Sequence, residues 1–229
     1  MPYIGNDVVD LISPENRQKS TDSRYLKKIL TDTEIEQVRC SDNPDATLWS
    51  IWACKEAAYK VIRKQSSGAA FLPRHWTVHF RHPSSAVEHQ GSKTSEAPPA
   101  DQAPTAFAAG DVEISEKKSI PFFLFSSLSY VHCLAADCFD ILDEVIWRVD
   151  VLPAGHDQKD RDPSVFARSC LAHALSSFLR DDQSQIKILR DREKDGELQP
   201  PAVYLNGIKT GIDVSLSHDG QFVAYAFLA

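Results

Sequence analysis

The chain has 229 residues, of which 42% are hydrophobic and 25% are charged. This balance is ordinary for a globular protein, and the length suffices for one large domain or two small ones. The formal charge of −7 argues against a general binder of nucleic acid or of anionic membranes, because both need a basic surface.

The cysteines and the first residues indicate a cytoplasmic protein. The five cysteines are odd in number and form no CxxC pair, which is typical of reduced thiols used as small core residues. The segment MPYIGNDVVDL has neither the basic start nor the apolar stretch of a signal peptide. No apolar run approaches the ~20 residues that a membrane-spanning helix needs. We therefore expect neither a membrane nor a nucleic-acid partner.

The first part of the sequence predicts a strand, several helices and a small antiparallel sheet. YIGNDVVDLI has the β-branched composition of a strand. SRYLKKIL and TDTEIEQVRC predict helices, and Thr31 with Glu34 predicts a capping box at the start of the second. ATLWSIWACKEAAYKVIRK predicts a long helix, and HWTVHF, DVEIS, PFFLFSSLS and YVHCLAADCF predict strands.

Residues 82–110 interrupt this pattern. They are rich in Ser, Ala and Pro, and two prolines stand together at positions 98 and 99. Such a segment buries too little apolar surface to order itself, so we expect an exposed, mobile insertion.

The second part of the sequence repeats the order of the first. EVIWRVDVL predicts a strand, PSVFARSCLAHALSSFL an amphipathic helix, QIKILRD and PAVYLNG two strands, and DVSLSHDGQFVAYAFLA a hairpin that turns at Asp-Gly. Both parts also contain Ser-Leu-Ser, an alignment that sets Tyr130 opposite His218. We predict an α+β fold of two similar subdomains, 1–140 and 141–229, each a small antiparallel sheet packed with helices and together forming a pseudo-dimer.

The helical segment WACKEAAYK carries three charges within an apolar pattern. On a helical wheel, Glu56, Lys60 and Arg63 fall together opposite a wide apolar arc, while Lys55 lies inside that arc. Glu followed four residues later by Lys is also the commonest helix-stabilising pair. The charged face therefore has both a structural and a functional interpretation.

The strand GNDVVD contains an aspartate where strands seldom have one. Alternation places Asp7 and Val9 on one face and Asp10 on the other. Asp7 is either an edge-strand residue or a functional one. Two carboxylates such as Asp7 and Glu56 would suit Mg²⁺, which takes one or two carboxylates plus phosphate oxygens.

Four segments together resemble one family. GNDVVD, ILTDTEIEQV, WACKEAAYK and VSLSHDG resemble the G-x-D, W-x-x-K-E-x-x-x-K and S-H motifs of the 4'-phosphopantetheinyl transferases. EVIWRVDVL, VFARSCLAHAL and SLSHDG resemble the N-terminal half of the two-halved, surfactin-type members, and IGNDVVD through SSGAAFLPRHWTVHF resembles their C-terminal half. The halves thus stand in swapped order, as after a circular permutation. The motif order also resembles that of the short, trimeric holo-acyl-carrier-protein synthases.

The resemblance implies a reaction and a set of residues. It implies transfer of 4'-phosphopantetheine from coenzyme A to a serine of an acyl or peptidyl carrier protein, dependent on Mg²⁺ and releasing 3',5'-ADP. Such a step serves fatty acid, polyketide or nonribosomal peptide biosynthesis. Asp7 and Glu56 would hold Mg²⁺, with Glu56 or a metal-bound water as the base. Lys60 would neutralise the transferring phosphoryl group, and the enzyme would act as a monomer.

The resemblance also implies a coenzyme A site and an alternative. Ser217 and His218 would bind coenzyme A phosphates, and Arg168 would contact the 3'-phosphate, although by themselves such residues also suit exposed surface positions. Val9 stands where the surfactin type has a third metal-binding acid, which the trimeric type lacks. Glu197 stands where the two-halved members have the lysine of Gly-Lys-Pro. These departures leave open a catalytically degraded paralogue that binds carrier protein or coenzyme A without transfer.

Overall fold

The computed structural model describes residues 2–81, 104–153, 162–192 and 198–229. The α-helices in these ranges are Ser23–Ile29 (α1), Asp32–Cys40 (α2), Pro44–Gln65 (α3), Phe139–Leu142 (α4) and Pro163–Leu179 (α5). The strands are Ile4–Asp10 (β1), Thr77–Arg81 (β2), Ala106–Ser115 (β3), Lys118–Ser126 (β4), Tyr130–Ala136 (β5), Ile146–Val151 (β6), Ile186–Leu189 (β7), Ala202–Leu205 (β8), Ile208–Lys209 (β9), Asp213–Asp219 (β10) and Phe222–Leu228 (β11). Within the described ranges, we find no helix with the length and apolarity needed to cross a membrane.

Local sequence signals explain where several elements begin and end. Glu34 donates its backbone N–H to the Thr31 hydroxyl, and Thr31 donates its own N–H to the Glu34 carboxylate, so the predicted capping box opens α2. Asn43 caps α3, and Pro44 occupies its first turn. The β10–β11 hairpin turns at Gly220, whose φ of +53° favours glycine.

Antiparallel pairing builds three sheets from the described strands. One has the order β1-β5-β4-β3-β2, another β10-β11-β6, and a third β7-β8-β9. Helix α3 packs on β1 and β5, and α5 packs on β10 and β11. The predicted α+β class with antiparallel sheets is confirmed.

The predicted insertion at 82–110 extends too far toward the C-terminus. β3 begins at Ala106, and the stretch 106–110 pairs residue by residue with β4. The alanines and the glycine of 106–110 have low strand propensity, so the sequence does not predict a strand there. The pairing of these residues with β4 and β2 shows that they belong to β3. The rest of the predicted insertion, 82–103, lies outside the described residues.

The two Ser-Leu-Ser segments occupy different places in their hairpins. Residues 127–129 connect β4 to β5, whereas residues 215–217 lie inside β10. Tyr130 therefore opens the second strand of its hairpin, while His218 lies near the end of the first strand of its own. The predicted equivalence of Tyr130 and His218 is wrong, because a short motif aligned a turn with a strand.

β1 is buried on both faces. Val9 packs in a core beneath α3 that includes Ala57, whereas Ile4 and Val8 pack in a second core that includes Trp147 of β6. Alternation along the strand thus sends successive side chains into the two cores. β1 lies at the junction of the five-stranded sheet with β10 and β11.

The outer edge of β1 donates its N–H groups to side chains. One edge of the strand pairs with β5, and the other faces β10. The donor and acceptor pairs are Ile4 with Asp213 Oδ2 at 2.7 Å, Asn6 with Ser215 Oγ at 2.9 Å, and Asp10 with Asp219 Oδ2 at 2.9 Å. Side chains of β10 therefore accept the hydrogen bonds that the backbone carbonyls of a neighbouring strand would otherwise accept.

The carbonyl groups along the same edge accept from side chains as well. The pairs are Ile4 O with Lys64 Nζ at 2.7 Å, Asn6 O with Lys60 Nζ at 2.7 Å, and Asp10 O with Asn16 Nδ2 at 2.8 Å. Lys64 Nζ also contacts Asp213 Oδ2 at 2.8 Å and the Val214 carbonyl at 2.7 Å, so one ammonium group joins α3, β1 and β10. Side chains thus satisfy the outward backbone groups of Ile4, Asn6 and Asp10 without a further strand.

Gly5 allows α3 to approach β1 closely. A Cβ atom at Gly5 would overlap the carbonyl oxygen of Ala57. That oxygen belongs to the backbone of α3, so it cannot rotate away as a side chain could. The glycine of the G-x-D motif is therefore a packing requirement of this fold.

We predict that Gly5→Ala lowers the free energy of unfolding by about 3 kcal/mol, because the new methyl group overpacks the helix–strand contact. Gly68→Ala is the matched control, since a Cβ there meets open space and only the φ of +80° opposes it. The control should cost about 1 kcal/mol. Urea denaturation of both variants measures the difference, and equal losses would contradict the packing argument.

Candidate active site

Asp7 and Lys60 meet where α3 crosses β1. Lys60 Nζ donates to Asp7 Oδ1 at 2.9 Å and to the Asn6 carbonyl at 2.7 Å. Glu56 lies one helical turn before Lys60, on the same face of α3. Lys60 therefore points toward β1, and Glu56 lines a cavity together with Asp7.

The two carboxylates interact electrostatically. Burial raises the pKa of Asp7 above its ordinary value, and the nearby Lys60 ammonium acts in the opposite direction. Burial, followed by the negative charge of Asp7, raises the pKa of Glu56 to about 7. A carboxyl group with such a pKa, beside a second carboxylate, favours a bound proton or cation.

Side chains from the end of the chain complete the site. Arg168, Ser217 and His218 line a cavity of about 200 Å³ together with Asp7 and Lys60. A neighbouring cavity of about 170 Å³ shares Asp7 and His218 and is also lined by Glu56. All six residues predicted from the motifs thus lie around two adjoining cavities. The lining of the smaller cavity also includes Asp219, which the sequence analysis did not select.

A larger group of cations borders these cavities. A third cavity, of about 440 Å³, shares Glu56 and Lys60 with the smaller ones. Its other cations are Arg63, Lys64, Arg190 and Arg192. Burial, then the positive charges of Arg168 and Arg63, lowers the pKa of the Arg190 guanidinium. A cluster of cations in one cleft attracts anionic ligands.

Sequence reasoning selected only part of this cluster. Arg63 shares the helical face of Glu56 and Lys60, so the helical periodicity of the sequence predicts its place in the cluster. Arg190 directly follows the β7 pattern, but only the fold shows that this end of β7 meets α3 and α5. Lys64 is similarly explained only by its contacts with β1 and β10.

The positions beside Asp7 differ in what they do. Val9 is buried in the apolar core under α3, so no acid stands there. Asp10 faces away from Asp7, as alternation predicts. Its Oδ1 accepts two backbone N–H groups of the following turn, and its Oδ2 accepts the Gln221 N–H at 3.0 Å. Asp10 therefore anchors the β10–β11 hairpin. Glu197, the other departure from the family motifs, lies outside the described residues.

Lys55 is a structural cation. Its Nζ is fully buried and donates to Glu34 Oε2 at 2.5 Å, to the Pro73 carbonyl at 2.8 Å and to the Ile29 carbonyl at 3.1 Å. The other oxygen of Glu34 accepts the Val78 N–H at 2.9 Å. Lys55 and Glu34 together thus join α1, α2, α3 and β2, which explains a lysine inside the apolar arc of α3.

His132 is a second buried polar group near the site. Its ring lies 4.8 Å from the ring of Trp147 and 6.3 Å from that of Phe125. Burial, assisted by the charge of Lys60, lowers the pKa of His132 to about 3. The histidine is therefore neutral throughout the physiological range.

Asp7 and Glu56 fit a hard divalent cation by the chemistry of their donors. Both offer carboxylate oxygens, and a cation would offset the repulsion between their negative charges. Among the described residues, no group of three or more His, Cys, Asp or Glu side chains could hold a metal ion. Mg²⁺ binds through one or two carboxylates when phosphate oxygens and water complete its shell.

The site therefore sets two carboxylates beside a cluster of cations, an arrangement whose charges suit a phosphate-rich ligand. Residues 3–106 match the family model described as the 4'-phosphopantetheinyl transferase superfamily. The match covers a little under half of the chain and includes Asp7, Glu56 and Lys60. It confirms the superfamily predicted from the motifs, whose general activity is the transfer of phosphopantetheine. A search of curated proteins gives no significant match.

We predict that Lys55→Met lowers the free energy of unfolding much more than Lys60→Met does. Lys55→Met leaves Glu34 buried and unpaired, so it should lower the free energy of unfolding by about 3–5 kcal/mol. Lys60 is 26% exposed, and its replacement leaves the Asn6 carbonyl and Asp7 without this donor, so it should cost only about 1–2 kcal/mol. Urea denaturation measures both. Similar losses in the two variants would contradict the distinction.

We also predict that acid destabilises the protein through His132. Its folded pKa of about 3 lies below the ordinary value of 6.5, so between these values the unfolded chain binds a proton that the folded chain does not. The free energy of unfolding should therefore fall by about 1.4 kcal/mol per pH unit below 6.5 from this group. Denaturation at pH 7.5 and pH 5.5 should show about 1.4 kcal/mol more loss in the wild type than in His132→Gln. Equal losses would exclude His132 as the cause.

Proposed function

We propose that this chain transfers 4'-phosphopantetheine from coenzyme A to a serine of an acyl or peptidyl carrier protein, with Mg²⁺, and releases 3',5'-ADP. The observation that carries the proposal is that side chains from distant parts of the sequence line the same adjoining cavities. These are Asp7, Glu56 and Lys60 from the first part and Arg168, Ser217 and His218 from the second. The superfamily match supports the reaction class.

The chemistry requires a base and a concentration of positive charge. The serine oxygen of the carrier protein forms a bond to the β-phosphorus of coenzyme A, while the bond from that phosphorus to the bridging oxygen of 3',5'-ADP breaks. Glu56 or a water bound to the metal would accept the serine proton. Lys60 brings its ammonium group to the transferring phosphoryl group.

Asp7 and Glu56 would hold Mg²⁺, which supplies positive charge that neutralises the pyrophosphate oxygens. Ser217 and His218 would donate hydrogen bonds to coenzyme A phosphates from β10. Arg168 is held by a hydrogen bond from its Nη2 to Ser164 Oγ at 2.7 Å, and it would contact the 3'-phosphate. These assignments follow the family motifs and the placement of each side chain in the cleft.

We also propose that residues 1–140 and 141–229 are repeats of one subdomain, arranged as a pseudo-dimer. In the first part, β1 pairs with β5, which pairs with β4; in the second, β6 pairs with β11, which pairs with β10. The pairs β3-β2 and β8-β7 correspond in the same way. The long helices α3 and α5 follow the first strand of each part. Because the cleft between the parts already holds every proposed site residue, we propose that the protein acts as a monomer.

We predict that the chain adds one phosphopantetheine group to an apo carrier protein incubated with coenzyme A and Mg²⁺. Asp7→Ala and Glu56→Ala should each reduce transfer to background, because each removes a carboxylate from the metal site. Glu116→Ala is the matched control, since it removes an exposed carboxylate from the β3–β4 turn and should transfer like the wild type. Mass spectrometry of the carrier protein measures the outcome.

The same experiment tests the alternative that the protein binds without transfer. A wild type that binds coenzyme A in a calorimetric titration but never modifies a carrier protein would favour the degraded paralogue. Near-wild-type turnover of Asp7→Ala or Glu56→Ala at limiting Mg²⁺ would instead refute the metal assignment alone.

A further inference from the structure

Asn6, the middle residue of the G-x-D motif, joins the two sides of the proposed site through hydrogen bonds of its backbone and of its side-chain amide. Its carbonyl accepts from Lys60 Nζ at 2.7 Å, and its N–H donates to Ser215 Oγ at 2.9 Å. Its Nδ2 donates to Ser217 Oγ at 3.1 Å and lies 3.3 Å from His132 Nε2. The residue is completely buried.

This polar arrangement opposes stability. Asn6 lies between residues whose side chains enter apolar cores, and among the described residues Asn6 Oδ1 and His132 Nδ1 are buried without a hydrogen-bond partner. Each buried polar atom without a partner costs free energy that an apolar side chain would avoid. Apolar side chains at positions 6 and 132 would pack here without this cost. The Asn6–His132 pair therefore indicates a role other than packing.

The amide determines the direction of the hydrogen bond at Ser217. An amide nitrogen can only donate, so Ser217 Oγ accepts from Asn6. The hydroxyl hydrogen of Ser217 is therefore left to donate elsewhere, and Ser217 lines the cavity that also holds Arg168 and His218. Such a donor, aimed into a site rich in cations, suits an anionic oxygen of the ligand.

We propose that Asn6 is a positioning residue for the transfer reaction. It keeps the Ser217 hydroxyl as a donor toward the coenzyme A phosphates and holds β10 in register with Lys60 on α3. His132 Nε2 contacts the same amide nitrogen and restricts the rotation of the amide. The inference rests on the proposed function, because it assigns a role in binding the same substrate.

A double-mutant cycle tests the proposal. Asn6→Leu preserves the backbone bonds to Ser215 and Lys60 and removes only the amide, while Ser217→Ala removes the hydroxyl that the amide orients. Each variant should raise KM for coenzyme A roughly tenfold with a much smaller change in kcat, since a ligand hydrogen bond is lost. The double variant should be no worse than Ser217→Ala alone, because Asn6 acts through Ser217.

Asn16→Leu is the matched control. Asn16 is also a buried asparagine, and its amide bonds to the Asp10 carbonyl at 2.8 Å and to Asp219 Oδ2. It lines the smaller site cavity, but its amide bonds to these groups and not to Ser217. Its effect on KM should multiply with that of Ser217→Ala. Effects of Asn6→Leu that also multiply, or that fall on kcat and melting temperature with KM unchanged, would overturn the proposal.

Two further measurements keep the test decisive. If Asn6→Leu does not fold, Asn6→Asp replaces it, since a carboxylate of the same shape would accept from Ser217 and withdraw the hydroxyl hydrogen; the same non-additive KM effect is expected. If the wild type shows no transfer, the cycle is repeated on the dissociation constant of coenzyme A by calorimetry. Binding without transfer refutes the proposed function alone, and multiplying effects on the dissociation constant refute the role of Asn6.

Discussion

The outer edge of β1 places the strongest physical constraint on this structure. A buried strand edge must satisfy its N–H and C=O groups, and here acidic and hydroxyl side chains of β10 accept from the N–H groups while lysines of α3 donate to the carbonyls. The backbone of a neighbouring strand would satisfy these groups equally well, but it would bring neither charged groups nor hydroxyl groups to the edge. Side chains in its place bring charge and hydroxyl groups to the centre of the molecule, where a cleft can use them.

This arrangement makes the same residues serve folding and binding. Lys60 satisfies a β1 carbonyl and faces Asp7, and Ser217 belongs to the strand whose alternate side chains contact the edge. The close approach of α3 that Gly5 permits brings Glu56 and Lys60 within reach of β1. The cleft is therefore a consequence of how the strand edge is covered, and its geometry cannot change without changing the contact between the two parts of the chain.

Local signals predicted much of this fold. The capping box at Thr31, the charged face of α3 and the Asp-Gly turn depend on neighbours in the sequence, and the structure has all three. The motifs also selected six residues that the fold brings to adjoining cavities. Contacts between distant segments were beyond such reasoning. The sequence could not identify Lys55 as the partner of Glu34, or Arg190 as part of the cation cluster. Both roles depend on packing between elements that are distant in the sequence.

The covering of the β1 edge has a consequence for how the chain is made. The hydrogen bond from the Ile4 N–H to Asp213 spans 209 residues, so β1 leaves the ribosome long before the strand that covers its edge. Until then β1 can pair with β5 but presents an uncovered hydrogen-bonding edge, which is a template for association with other chains. Contacts of such long range also slow folding. Biosynthesis thus holds the nascent chain in an association-prone state until the β10–β11 hairpin emerges and closes over the edge.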